Sequence, residues 1–364
     1  MIDNIIRPAV KNCRDYIPGK PVEEVQRELG IEHVDKMASN ENPLGTSPKA
    51  LEAMRAELFK SNRYPESGCT ELVAKLAAKH SVPKDWILVG NGLDDVITMI
   101  GMTVLDPGDE AVYGDATFPA YGNITRKMGG KCVEVRMTDK MENDLNGLLA
   151  AMTDRTKMVG VCNPNNPTGT IVDKDALLAF IEKVPSHVLI VMDEAYYDFA
   201  HSDRYMSMLD EVKNHENLVV LRTFSKVYGL AAERIGYMIG NPAIIRAVSK
   251  VRQPFPVNRI AQAGALAALD DQEFYENTLK VNLSGLHQYQ KAFDEMGLKY
   301  YDSQTNFIYV EIPKDAAEVF NTMLHDGIII RPQKLPGYPD ALRISIGTAD
   351  ENERTIRSLK KALA

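Results

Sequence analysis

Lys226 follows an apolar run, Leu218 to Leu221, with the hydroxyls of Thr223 and Ser225 just before it and Arg234 eight residues further on. An amine at the point where a buried strand emerges, beside hydroxyls and a guanidinium, has the makings of a Schiff-base nucleophile next to an anion pocket. Two further apolar runs end in polar groups. Lys157 to Cys162 leads into Asn163-Pro-Asn-Asn-Pro-Thr-Gly169, and Val188 to Met192 ends at Asp193-Glu-Ala-Tyr196. Taken singly, Asp193 also suits a helix N-cap and Lys226 a surface position. Together, Asn166, Asp193 and Lys226 converge on one presumptive sheet edge, which is where open α/β sheets bind ligands.

The elements that must position these groups alternate between short apolar runs and helical spacing. Trp86 to Val89 reads as a strand leading through Gly90-Asn-Gly-Leu-Asp-Asp95 into a helix, Val96 to Val104, a turn whose N–H groups suit a phosphate at the positive end of the helix. That turn lacks the third glycine of a dinucleotide fingerprint and the Gly-Lys-Ser/Thr of a Walker loop, which counts against an NAD enzyme or an ATPase. A strand at Glu110 to Tyr113 gives way to Asp115-Ala-Thr-Phe-Pro-Ala-Tyr121. Helices are expected at Pro21 to Leu29, 48–58, Glu71 to His80, Gln262 to Leu269 and Phe274 to Met296, and a strand at Phe307 to Ile312. The pattern predicts an α/β fold, a mostly parallel central sheet covered on both faces in a large domain, with a smaller α/β domain.

The boundaries expected are an arm at 1–45, a large domain at 46–259 and a small C-terminal domain at 260–364. Arg331 and Arg343 sit beside the runs Ile328 to Ile330 and Ile344 to Ile346; their forked guanidiniums suit phosphate or carboxylate, and equally a solvated salt bridge. Tyr16 and Asn42 lie on Pro- and Gly-punctuated backbone, as substrate contacts or as simple turn chemistry.

The chain has 364 residues, 45% apolar and 25% charged, enough for more than one domain. A net charge of −8 gives no basic footprint for nucleic acid or an anionic membrane. Four scattered cysteines and seven histidines show neither a disulfide framework nor zinc spacing, so no metal and a reducing, cytoplasmic compartment are expected. Charged residues interrupt the apolar N-terminus and no run reaches membrane-span length, so no leader is expected and the mature chain should begin near Met1.

Asn163-Pro-Asn-Asn-Pro-Thr-Gly169, Asp193-Glu-Ala-Tyr196, Ser225-Lys226 and Arg234-Ile-Gly-Tyr237 together resemble the fold-type I, class-II aminotransferases that use pyridoxal 5'-phosphate (PLP). Within them the chain is most similar to the histidinol-phosphate aminotransferase subfamily. That likeness rests on Pro18-Gly-Lys-Pro21, Ser39-Asn-Glu-Asn-Pro-Leu-Gly45, Arg63-Tyr-Pro65, Arg252-Gln-Pro-Phe255, Asn306-Phe307 and Leu342-Arg-Ile-Ser-Ile-Gly-Thr348. Leu93, Glu233, Pro256 and Arg259 depart from the residue types expected there.

The resemblance implies that Lys226 is both covalent anchor and general base, and that Asp193 holds the proton on the pyridine nitrogen. Asn166 and Tyr196 would meet the phenolic oxygen and Phe118 would stack on the ring. The phosphate would take Gly92, Leu93, Asp94, Thr223, Ser225 and Arg234. Tyr16, Asn42, Arg331 and Arg343 would face the substrate. It further implies that the arm at 1–45 joins the small domain, and a twofold homodimer with Tyr64 reaching the partner's cofactor phosphate. The amino donor implied is histidinol phosphate and the 2-oxo acid is 2-oxoglutarate; an aromatic amino acid as donor, a PLP decarboxylase or oxidase, and a noncatalytic PLP-fold module are the alternatives.

Overall fold

The computed structural model describes residues 4–11, 13 and 19–364. Tyr16 and Pro18 lie outside the described residues.

In chain order the strands are β1 (Asp35–Lys36), β2 (Ile87–Gly90), β3 (Glu110–Gly114), β4 (Lys131–Val135), β5 (Thr156–Cys162), β6 (Leu189–Asp193), β7 (Leu218–Thr223), β8 (Gly236–Gly240), β9 (Phe307–Glu311), β10 (Ile328–Ile329), β11 (Arg331–Gln333) and β12 (Ala341–Ser345). Seven of them form one sheet in the order β2-β8-β7-β6-β5-β3-β4. Only β8 runs against the others, pairing antiparallel with both β2 and β7. The expected mostly parallel α/β sheet is therefore what the chain forms.

Alternate residues of each strand feed two apolar layers, because successive side chains of a strand point to opposite faces. Ile190, Met192 and Val220 join Leu72, Leu76 and Ala261 in one layer; Val191, Val219 and Leu221 join Val96, Ile100 and Ile124 in the other. β4 was not among the expected strands. As the sheet's last strand it is only partly covered, and Lys131 and Glu134 interrupt its apolar pattern. The helix Pro48–Glu57 starts with Ser47 accepting from the Ala50 N–H and Pro48 in the first turn, and it packs on the helix Arg259–Ala268, where Gly264 makes room for Met54.

A third apolar core lies in the last part of the chain. Phe293, Ile308, Leu342 and Leu359 pack the helices Gln272–Met296 and Ala349–Leu363 against the antiparallel sheet β11-β12-β9. The early segment is bound to it. β1 pairs parallel with β10, and Asp35 accepts two short hydrogen bonds from Arg354, at 2.6 and 2.7 Å.

Candidate active site

β5, β6 and β7 lie side by side, and a cavity of about 450 Å³ opens at their carboxyl edge. Asn166, Asp193 and Lys226 all line it, as the sequence predicts.

The loop after β5 holds three asparagines, and its hydrogen bonds separate their roles. Asn163 accepts from the Val172 N–H, and Asn165 is saturated by Ala116, Thr117 and Thr168. Asn166 alone reaches the cavity, where its Oδ1 accepts from Arg343 Nη1 at 2.7 Å and its amide N–H groups remain for another acceptor.

Asp193 ends β6 and is 2% exposed. Burial pushes its carboxyl up to about 6, against the pull of the Ala195 N–H at 3.1 Å and the Tyr121 hydroxyl at 3.2 Å, both donating to it. Tyr121 was not assigned from sequence. Its fully buried ring lies on the centre of β5, where a side chain at Gly160 would come within 2.8 Å of it. A glycine in the middle of an apolar strand was the signal available for that close approach.

Tyr196 is buried edge-on to Phe307, and its hydroxyl oxygen accepts from Asn40 Nδ2 at 3.0 Å. Lys226 sits three residues beyond β7 with its Nζ donating to the Ser39 carbonyl at 3.3 Å. Burial, followed by the nearby Arg343 guanidinium, pulls its ammonium down to about 8.

Across the cavity, Gly92 precedes the helix Leu93–Val104 at φ 84 and offers no side-chain cap. The positive φ favours glycine there, and a Cβ would meet the movable end of the Arg234 guanidinium at 2.7 Å. Leu93, Asp94, Thr223, Ser225 and Arg234 gather round this helix end, and Arg234 Nη2 lies 3.6 Å from the Asp94 carboxylate. Phe118 lines the same wall, half-buried.

Arg331 and Arg343 enter from the small sheet. They are direct partners across β11 and β12, and both line the cavity. Like charges opposite each other on neighbouring strands repel, so the pair suits an anion held between them. Arg343 Nη2 also donates to the Ala38 carbonyl at 2.6 Å.

Two expected residues stand apart from the cavity. Asn42 is spent on the Lys226 and Val227 carbonyls and the Thr278 hydroxyl, so it supports the backbone that carries the lysine. Tyr64 is 78% exposed and stacks on Phe255 at 4.6 Å. Arg259, one of the unexpected residue types, holds that loop by donating to the Tyr64 carbonyl and pairing with Glu57.

The donor set fits a phosphorylated pyridine aldehyde. A buried carboxylate awaits a cation, an amine has its charge weakened, two donors sit at one edge, and an uncapped helix end with an arginine sits at the other. Such a site defines the PLP-dependent class of enzymes on an aminotransferase-type fold.

The comparisons with known proteins agree. The model of the family Aminotransferase class I and II matches residues 32–359, and the chain belongs to that family. It is 45% identical to the histidinol-phosphate aminotransferase of Moorella thermoacetica over 98% of this chain and 93% of that one. It is 43% identical to histidinol-phosphate aminotransferase 2 of Pseudomonas aeruginosa over 99% and 98%. The crystal structure of histidinol-phosphate aminotransferase from Sinorhizobium meliloti in complex with pyridoxal-5'-phosphate superposes with a TM-score of 0.90 at 28% identity, covering 98% and 97% of the two chains.

Proposed function

We propose that the protein is a PLP-dependent aminotransferase that moves the amino group between histidinol phosphate and 2-oxoglutarate, giving imidazole-acetol phosphate and glutamate, in histidine biosynthesis. The observation that carries this reading is the cross-strand pair Arg331 and Arg343 facing the same cavity as Lys226 and Asp193. When bound, PLP supplies an aldehyde for amines to condense with and a cationic ring that withdraws electrons from the substrate carbon.

The residues supply the rest. Lys226, with its charge weakened by burial, would take the proton from the substrate carbon and deliver it to the carbon of the cofactor's aldehyde group, the transfer that moves the amino group. Asp193, itself fixed by Tyr121, holds a proton on the pyridine nitrogen. Tyr196 and Asn166 donate to the phenolic oxygen, and Phe118 covers the ring. The helix end at Gly92, Leu93 and Asp94 binds the cofactor phosphate with Thr223, Ser225 and Arg234. Arg343 and Arg331 orient the anionic end of the substrate.

The same reading places the enzyme in the cytoplasm; among the described residues, no helix is long and apolar enough to cross a membrane. It divides the chain into an arm (1–45), a large cofactor-binding domain (46–259) and a small domain (260–364), supported by the separate core around Phe293 and Leu342. It also makes the enzyme a homodimer. Exposed Phe59, Tyr64 and Phe255 provide the apolar surface, and Tyr64 reaches the partner's cofactor phosphate.

A donor panel tests the substrate. With 2-oxoglutarate as acceptor, histidinol phosphate should be preferred over phenylalanine, and Arg331→Ala should cost the phosphorylated donor at least about tenfold more in kcat/KM than the amino acid. Equal losses would remove the phosphate assignment. For the shared site, inactive Lys226→Ala and Tyr64→Ala chains should regain up to about a quarter of wild-type activity when refolded together, the share expected of random twofold pairing. No recovery despite proven subunit exchange would place Tyr64 outside the partner's site.

A further inference from the structure

The hydrogen on the Tyr196 oxygen has a direction that can be read from its neighbours. Asn40 is 1% exposed and lies at φ 55, with its carbonyl bonded to Asn306 Nδ2 at 2.9 Å. Its backbone N–H donates to Ser345 Oγ at 2.8 Å. Because that oxygen accepts there, its own hydrogen is available to Asn40 Oδ1, 3.2 Å away. This fixes the amide orientation: with Oδ1 committed to Ser345, the donor that meets the Tyr196 oxygen at 3.0 Å is Nδ2. A phenol oxygen that receives a hydrogen bond from Asn40 must point its own O–H elsewhere. The side left to it is the cavity that Tyr196 shares with Lys226 and Asn166.

We infer that Asn40 is a positioning residue, which through the relay from Ser345 to Asn40 to Tyr196 aims the Tyr196 hydroxyl at the phenolic oxygen of bound PLP. The inference rests on the cofactor reading given above. The relay begins on β12, two residues from Arg343 and on the same face, so the strand that presents the substrate-anion guanidinium also anchors the hydroxyl's aim.

The charged and titratable groups around the Tyr196 hydroxyl are Arg343, Asp193 and Cys162, with Lys226 Nζ 5.7 Å from the ring. Replacing Asn40 with a neutral residue alters none of them. The pH midpoint of the absorbance change of the lysine-bound cofactor in the holoenzyme therefore reports on the hydroxyl. A hydroxyl aimed at the phenolic oxygen stabilises its anionic form and lowers that midpoint.

Asn40→Gly suits the left-handed backbone and should raise the midpoint by about 0.5–1 pH unit, in the direction of Tyr196→Phe and no further. In the Tyr196→Phe background the same change should add nothing, since the hydroxyl it aims is gone. Ser345→Ala, which leaves Asn40 in place but frees its amide, should give a smaller rise. Equal shifts of Asn40→Gly with and without the Tyr196 hydroxyl, or no shift in the wild-type background, would overturn the positioning role alone. A wild-type protein that forms no pH-dependent cofactor band would overturn the cofactor reading and this inference with it.

Discussion

Asp193 and Glu194 are consecutive acids at the end of one strand, yet they serve opposite faces of the sheet. Asp193 looks into the cavity, where two neutral donors meet it and burial holds its carboxyl at about 6. Glu194 looks the other way. It accepts from Arg222 at 2.8 and 3.2 Å, from the Ser207 hydroxyl and from the Met208 N–H, and Arg222 lies 3.6 Å over the Tyr197 ring. One carboxylate is fully partnered within the chain, while the other has no cation beside it among the described residues. The back face is built for stability and the cavity face for chemistry.

The sharpest break of this contrast is on the back face. Arg222→Met leaves Glu194 buried without its cation, and denaturant unfolding should show a loss of about 3–5 kcal/mol. Adding Glu194→Gln should recover much of it, because replacing both members of a buried pair costs far less than removing one. A single-variant loss below about 1 kcal/mol would mean that the pair is not the strut described.

On the cavity face the signs should separate. Asp193→Asn should lower kcat about a hundredfold or more, roughly 3 kcal/mol of barrier, while raising the stability of the cofactor-free protein at pH 7 by about 1–2 kcal/mol. A variant that loses both activity and stability would erase the distinction between the two faces.

The smallest effect is in pH. The folded pKa of Asp193, about 6, lies above the ordinary value of 3.8 for an aspartate. The folded chain therefore keeps a proton between pH 4 and 6 that the unfolded chain has released. Its contribution is most favourable below about pH 4 and is lost as pH rises through 6, by about 2–3 kcal/mol in full. The stability difference between the cofactor-free wild type and Asp193→Asn should grow over that window and stay flat above it; a difference independent of pH would contradict the cause assigned here.

The cavity face was the more legible in sequence. An apolar run that stops at a charged residue marks a strand end, and three such runs brought Asn166, Asp193 and Lys226 to one edge. The back face was hidden because Arg222 reads as one residue of a strand, and its partner lies 28 positions away with no periodicity to connect them. Tyr121 was quoted without a role for the same reason, since its bond to Asp193 spans 72 positions. Among the asparagines after β5 the sequence already pointed to Asn166, and the hydrogen-bond pattern supplies the physical reason: Asn163 and Asn165 hold the loop while Asn166 faces the cavity. Ser39 and Asn40 belonged to a recognisable motif, but their partners lie far along the chain: Lys226 for Ser39, and Tyr196 and Ser345 for Asn40.

That last arrangement sets an order of events during synthesis. Asn40 and Ser345 are 305 residues apart, and β1 has no strand to join until β10 exists. At ~5–20 residues per second, the arm emerges roughly 15–60 s before its partners. In that interval the seven-stranded sheet, complete by Gly240, can form without it. Asn40, made before that sheet, is then docked after it, so the Tyr196 hydroxyl acquires its aim only once Ser345 has emerged.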